Sequence, residues 1–444
     1  MGIHCALRLR GADGRLFRRF SGGGVAGRLK RVAGSAVVYV GIVLGTLVLL
    51  DLTLIVFGLF PPTHDYGDPE VGWVAARPSG EMREDRCMEF STREIFRISR
   101  NEDALRTSRS AERLRQDDDL FKVAVTGDSQ TELCAPNPLT HFGVLERELT
   151  ASGMPSAAYA YGAGKYAPLQ AYLAVMRASR GYATDALVLN FYTGNDFLDM
   201  LRVDDRPHFA PAGDGYTIAA PVWFQLDDPT VRRRSRVLYA LRTVLKRTGL
   251  HTVLVRVRYH RATAAAQGKG LRSVLAYMND LRKSASPEVG YAAALTAQML
   301  NQQLFFHRFP DSKAESLRRV RALFELVRRE HPEMVLVLSP LPSYQLVREQ
   351  PVDDILLRTI ERLPITYESG VREEGELYEA LRVLAAQTGW RFADNLAPLR
   401  AYAGTERLFN DFDYHYLPPA SDIIGRAQAA AFATPSDTPP DPSR

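Results

Sequence analysis

The chain reads as an α/β protein built on a parallel sheet with helices on both faces. Two observations predict this. From residue 121 onward, short apolar stretches alternate with stretches of helical length. Two of the apolar stretches also end in small polar residues, as strands do where an α/β sheet binds its ligand at the carboxyl edge. With 46% hydrophobic and 24% charged residues, the composition is that of an ordinary globular protein. That excludes a disordered, collagenous or disulfide-scaffold chain.

The elements follow in order. Phe121–Thr126 (FKVAVT) is a strand running into Gly127-Asp128-Ser129. Residues 138–152 read as a helix, Ala157–Tyr161 as a strand and Tyr166–Arg180 as a helix. Asp185–Phe191 (DALVLNF) is a strong strand that ends at Thr193-Gly194-Asn195-Asp196. Then come helix 313–331, strand Met334–Ser339, helix 371–388, strand Trp390–Ala393 and a closing helix after Pro418-Pro419. About 140 residues separate Asn195 from the strand at 334, too many for one crossover, so a subdomain is expected over about 201–312. Residues 203–225 within it suggest an irregular loop or hairpin. Residues 230–261 hold ten Lys/Arg and no Asp/Glu. They form either a solvated helical face or a surface for anionic lipid head groups or an acidic polymer. Residues 433–444 read as a disordered tail.

The formal charge of +5 is unevenly spread. Residues 1–34 carry eight Lys/Arg against Asp13, and the chain beyond Asp51 is near neutral. Its basicity is therefore a property of a short tail and no argument for nucleic acid. Val32–Leu50 is uncharged and, as a helix, spans about 29 Å, close to one hydrocarbon core. It is too long for a signal-peptide core and no small-residue cleavage site follows. The expected organisation is a basic cytoplasmic tail (1–31), a transmembrane anchor (32–60), a stalk and domain edge (61–120) and the α/β domain (121–432). The positive tail orients the domain to the periplasm or exterior. There Cys87 and Cys134 can form a disulfide or stay buried thiols, and pairing is the expectation. Gly22–Gly27 formally satisfies GxGxxG, but no strand precedes it, so it is a linker.

Three clusters can carry chemistry. Ser129 directly follows a strand, where its hydroxyl is reachable; for the motif alone, a helix N-cap serine is the usual explanation. Asn195 can donate an amide N–H to a developing oxyanion, or simply shape a turn. Asp413-Tyr414-His415 offers a base with an orienting acid, with Asp411 and Asp394 as reserve acids. Neither GxSxG, HExxH nor CxxC occurs, so no metal or cofactor is expected.

In their order, Ser129, Asn195, then Asp413 and His415, these clusters resemble the motif blocks of the SGNH/GDSL hydrolase superfamily. Tyr161-Gly162-Ala163-Gly164-Lys165-Tyr166 resembles the block that carries an oxyanion glycine. The resemblance covers residues 121–200 and 334–432. It implies a flavodoxin-like SGNH sheet in which Ser129 is nucleophile and His415 base. Asp413 orients the base, while Asn195 and the N–H of Gly164 or Lys165 hold the oxyanion. Thr193 stands where the family often has glycine. The final block is D-x-H rather than D-x-x-H, a form similar to that of membrane-associated polysaccharide-modifying acyltransferases. The expected function is therefore ester hydrolysis or O-acyl transfer on an envelope or extracellular ester such as an acylated carbohydrate. A multipass membrane acyltransferase is the candidate partner. The alternative is a non-catalytic binding component of a cell-surface polysaccharide system.

Overall fold

The computed structural model describes residues 66–68, 70–74, 79–88, 95–164, 166–203, 206–220, 302–303, 305–307, 309–348, 366–410 and 415–433, and residues 39, 41–43, 45, 46 and 49 near the N-terminus. The chain divides into two compact units: Met1–Pro62 with Arg234–Leu241, and Thr63–Arg233 with Arg242–Arg444. In the first, the described residues between 39 and 49 are helical and exposed, and the Thr46 hydroxyl donates to the Ile42 carbonyl at 2.8 Å. Among the described residues no helix is long and apolar enough to cross a membrane, and most of the apolar run at 32–60 lies outside them. The basic segment 230–261 and the tail from 434 also lie outside the described residues.

The second unit opens with two antiparallel hairpins, β1 (Tyr66–Asp68) with β2 (Gly72–Val74) and β3 (Arg83–Met88) with β4 (Ile95–Arg100). Helix α1 (Ala111–Gln116) leads into β5 (Phe121–Gly127), the short α2 (Ser129–Glu132), α3 (His141–Ala151) and β6 (Ser156–Gly162). Then follow α4 (Pro168–Ala178), β7 (Ala186–Tyr192), α5 (Asp196–Asp199) and a hairpin of β8 (His208–Ala212) and β9 (Gly215–Ala219). The chain closes with α6 (Pro310–Glu330), β10 (Val335–Leu341), α7 (Tyr344–Arg348), α8 (Tyr367–Gln387), β11 (Arg391–Phe392), α9 (Leu396–Ala401) and α10 (Pro418–Ala433).

The central sheet has five parallel strands in the order β11-β10-β7-β5-β6. Counted from β5, this is the 2-1-3-4-5 order of flavodoxin-like sheets. Strand alternation divides the core between two faces. Val123, Val125 and Val188 pack with Phe142, Leu145 and Ala431 on the α3/α10 side. Ala124, Leu187 and Leu336 pack with Leu169, Phe324 and Leu381 on the α4/α6/α8 side. Burial on both faces explains why these strands read as continuous apolar runs.

Local chemistry moves several boundaries from those expected. The helix expected from 138 begins at His141, because extended Thr140 caps it by accepting the Gly143 N–H at 3.3 Å; a 3₁₀ turn covers Asn137–Leu139. The helix expected from 371 begins at Tyr367, where Thr366 and Ser369 accept each other's backbone N–H groups in a capping box. Strand β10 runs to Leu341, since β7 continues alongside it to Tyr192. Part of 203–225 is the β8/β9 hairpin, and residues 204, 205 and 221–301 lie outside the described residues. Within 61–120, Arg106 forms an antiparallel bridge with Ala160, covering the free edge of β6.

Candidate functional site

The switch point of the sheet lies between β5 and β7, because the connection from β5 goes to β6 on one side and the next strand, β7, lies on the other. Ligands of open α/β sheets bind at the carboxyl ends of strands at such a point. Ser129 follows β5 and Asn195 follows β7 there. Both are half-buried, as are Gly164 and His415.

Asp128 sets the start of α2. Its side chain accepts the Gln130 N–H at 2.9 Å and its carbonyl accepts from Thr131 and Glu132. Burial pushes its carboxyl up to about 6, against the opposing pull of the Gln130 hydrogen bond and of His415. Among the described residues, neither the Ser129 hydroxyl, the Ser129 N–H nor the Gly164 N–H has a hydrogen-bond partner.

Glycine is needed where β6 ends. A Cβ on Gly162 would lie 2.8 Å from the Asp128 carbonyl oxygen and 2.9 Å from the Glu132 nitrogen, so no larger residue fits beside α2. A Cβ on Gly164 would sit 3.7 Å from the Ser129 Cβ, an ordinary contact. Gly162 is thus the sterically demanded glycine, and Gly164 the one whose backbone borders Ser129. Lys165 lies outside the described residues.

After β7, the Thr193 N–H donates to the Leu341 carbonyl at 3.0 Å, and Gln302 Nε2 donates to the Thr193 carbonyl at 2.8 Å. Gln302 Oε1 also accepts the Leu198 N–H at 3.1 Å, clasping the loop on both sides of Asn195. The Asn195 amide donates to Asp199 Oδ2 at 2.5 Å, and Asp199 is paired with Arg202 and Arg206 at 3.0 and 3.4 Å. Asp196 is buried, with Oδ2 accepting the Tyr192 N–H at 2.7 Å. Burial, with the charges of Asp128 and Asp199, raises its pKa well above the ordinary carboxylate value.

His415 sits on the returning arm of a loop closed by two backbone hydrogen bonds, Asn410 N–H to the His415 carbonyl (2.8 Å) and Leu417 N–H to the Leu408 carbonyl (2.9 Å). Its neighbour Tyr416 donates its N–H to Gln130 Oε1 at 3.2 Å and its hydroxyl to the Pro342 carbonyl. Asp413 and Asp411 lie outside the described residues. The other reserve acid, Asp394, is committed elsewhere: Oδ2 accepts from Arg382 at 2.9 Å and Oδ1 from the Tyr378 hydroxyl at 2.9 Å. Burial acts to raise its pKa, and those two partners overcome it, leaving the carboxyl below its ordinary value.

Behind α2, the buried Arg106 guanidinium donates to the carbonyls of Glu132, Leu133 and Ala135 and to Asn137 Oδ1. Desolvation lowers its pKa to about 9. Cys134 in the same segment is disulfide-bonded to Cys87 of β3, with Cα atoms 5.7 Å apart, so the expected pairing is present. Thr131, Asn190, His141 and Gln428 form a buried polar chain under the site, and burial pushes His141 down to about 3. Among the described residues no group of His, Cys, Asp and Glu could hold a metal ion.

Gln130, Glu374, Gln302, Asp199 and Arg106 shape the site yet carry no motif. The readable signals were charged or amide residues at apolar positions, such as Glu374 on the buried stripe Tyr367, Gly370, Leu377, Leu381.

Fold and site together define a doubly wound α/β protein whose polar groups gather at the sheet's switch point. No protein-family model matches the chain, and no curated protein sequence matches it. A solved structure that resembles it is that of LAE5, an α/β hydrolase enzyme from the metagenome of Lake Arreo, Spain, with 14% identity and a TM-score of 0.30 over 70% of this chain and 95% of that one.

Proposed function

We propose that the protein is an SGNH-type serine esterase or O-acyltransferase acting on an envelope or extracellular ester such as an acylated carbohydrate. The single observation that carries the reading is the convergence at one sheet edge. A Ser129 hydroxyl without a partner among the described residues borders the Gly164 backbone, and Tyr416, next to His415, is hydrogen-bonded to Gln130, next to Ser129. In this mechanism His415 removes the Ser129 proton as the oxygen attacks the ester carbonyl. The N–H groups of Ser129 and Gly164 or Lys165, with the Asn195 amide, hold the oxyanion, and His415 returns the proton to the departing alkoxide. Asp413 fixes the imidazole tautomer. Water then frees the acid from the acyl-serine in hydrolysis; a sugar hydroxyl takes the acyl group in transfer. A multipass membrane acyltransferase supplies the acyl donor in the second case.

The charge-free run after a basic tail supports an uncleaved anchor with the α/β unit outside the cytoplasm, where a disulfide such as Cys87–Cys134 persists. A reporter fused after residue 70 is expected to be active only outside the cytoplasm.

The test of the chemistry is turnover of a small activated ester by the purified protein, with labelling by a serine-directed fluorophosphonate. Ser129→Ala and His415→Ala are each expected to remove nearly all activity, and Asn195→Ala to cost about 10²–10³-fold. Unchanged turnover in Ser129→Ala would reject the nucleophile.

A further inference from the structure

We propose that Glu374 is a positioning residue that holds the Asn195 loop in working geometry by joining Thr193, at the end of β7, to Ser343, at the end of β10. The proposal rests on the esterase reading above and extends it to a residue outside every motif of the sequence.

Glu374 comes from α8 and is almost fully buried. Its Oε1 accepts the Thr193 hydroxyl at 2.5 Å and the Ser343 N–H at 3.1 Å, and its Oε2 accepts the Ser343 hydroxyl at 2.7 Å. A buried carboxylate is costly unless hydrogen-bonded, and these three donors offset that cost. A carboxylate accepts all three at once. Glutamine offers one acceptor oxygen, and its NH₂ can be met only if the Ser343 hydroxyl turns to accept from it.

What Glu374 grips is two residues from Asn195. Gln302 holds the main chain of the same loop at the Thr193 carbonyl and the Leu198 N–H. The Thr193 N–H is held by the Leu341 carbonyl, and Glu374 adds a hold on the Thr193 side chain. Ser343 in turn caps the start of α7 by accepting the Leu346 N–H at 3.3 Å. The Asn195 loop is thereby referred to the β10 end, against which the Tyr416 hydroxyl also anchors, at Pro342. Glu374 touches neither Ser129 nor His415, so it acts through position alone. Misplacing an oxyanion donor slows the chemical step and spares ground-state binding.

The experiment compares full-length wild type, Glu374→Gln, Thr193→Val, Thr193→Ser and Ser129→Ala on one activated ester, with fluorophosphonate titration of reactive serine. Glu374→Gln is expected to lower kcat about 10- to 100-fold with KM changed less than about threefold, while reactive serine stays stoichiometric at long labelling times. Thr193→Val removes the same hydrogen bond without burying a new donor. It should reproduce the loss, and Thr193→Ser should recover most of it. Wild-type kcat in folded Glu374→Gln, or equal loss in Thr193→Val and Thr193→Ser, would overturn the positioning role. Labelling and turnover that survive Ser129→Ala would overturn the underlying reading instead, and with it any catalytic role for Glu374.

Discussion

Tyr416 donates its backbone N–H to Gln130 Oε1 at 3.2 Å, so the residue after His415 is fastened to the residue after Ser129. The two lie 286 positions apart in the chain, and this one hydrogen bond joins the first motif to the last. The Tyr416 ring adds to it by packing tilted against Phe409 at 5.1 Å, inside the loop's β-bridge.

Cutting that fastening tests whether His415 needs it. Gln130→Ala leaves the Gln130 N–H on Asp128 intact and removes the acceptor for the Tyr416 N–H. It is expected to lower kcat about 10- to 100-fold, with a melting temperature shifted by only a few degrees, as loss of one hydrogen bond implies. Steady-state kinetics alongside thermal unfolding measure both. Full activity in Gln130→Ala would mean that Pro342 and Phe409 hold Tyr416 well enough without it.

Asp128 makes the stability of the fold depend on pH. Burial raises its carboxyl from 3.8 to about 6 in the folded chain, so the folded state binds this proton more tightly than the unfolded state. The resulting contribution is fully present below the unfolded value and is lost as pH rises through about 6. Asp128→Asn keeps a good N-cap for α2 and removes the buried charge. The variant is expected to be more stable than wild type near pH 8, by less than about 3 kcal/mol, with the gap closing near pH 4. Urea midpoints at the two pH values check the sign, and a constant gap would refute it.

The fold was legible because its strands are short, apolar and buried on both faces, which leaves few alternatives for FKVAVT or DALVLNF. Ser129 and Asn195 could be placed at the sheet edge because each follows closely on a strand, and His415 could be placed just before the closing helix. Glu374 and Gln130 were not. Their roles depend on partners far away in sequence, Thr193 for one and Tyr416 for the other, and a linear reading does not show what faces a buried polar residue. Gly162 shows the same limit. The sequence offered two glycines in one loop, and only the approach of α2 reveals which one steric contact demands.

The segment after α2 is held twice, by the Cys87–Cys134 disulfide and by Arg106, and the two ties should separate in their effects. Removing the disulfide by Cys87→Ser with Cys134→Ser relaxes a loop of 47 residues. That is expected to cost about 2–4 kcal/mol in unfolding free energy. Arg106 still holds the carbonyls of Glu132, Leu133 and Ala135, so ester turnover should fall less than about threefold. Arg106→Met leaves those carbonyls buried without their donor and should cost about 3 kcal/mol or more along with most of the activity. Denaturant titration with parallel turnover assays distinguishes the two. If the double serine variant loses its activity while still folded, the disulfide rather than Arg106 sets the segment.

The acid behind His415 is the last point that mutation can decide. Asp394 is removed from contention by its bonds to Arg382 and Tyr378, which together hold it at the start of α9. Asp128 feels the His415 charge, but its carboxylate already caps α2, and burial favours its neutral form up to about pH 6. The D-x-H spacing favours Asp413, which is close enough in sequence to reach one imidazole nitrogen. Asp413→Asn should therefore depress kcat severely, by about 10⁴-fold where the wrong tautomer is enforced, with KM little changed. Asp411→Asn should be mild. Asp128→Asn should act chiefly on stability, and any change in its kcat should be far smaller than that of Asp413→Asn. Measuring kcat for the three variants against pH settles the order. A severe loss in Asp411→Asn with a mild one in Asp413→Asn would transfer the orienting role to Asp411, and a severe loss confined to Asp128→Asn would assign it to the residue beside the nucleophile.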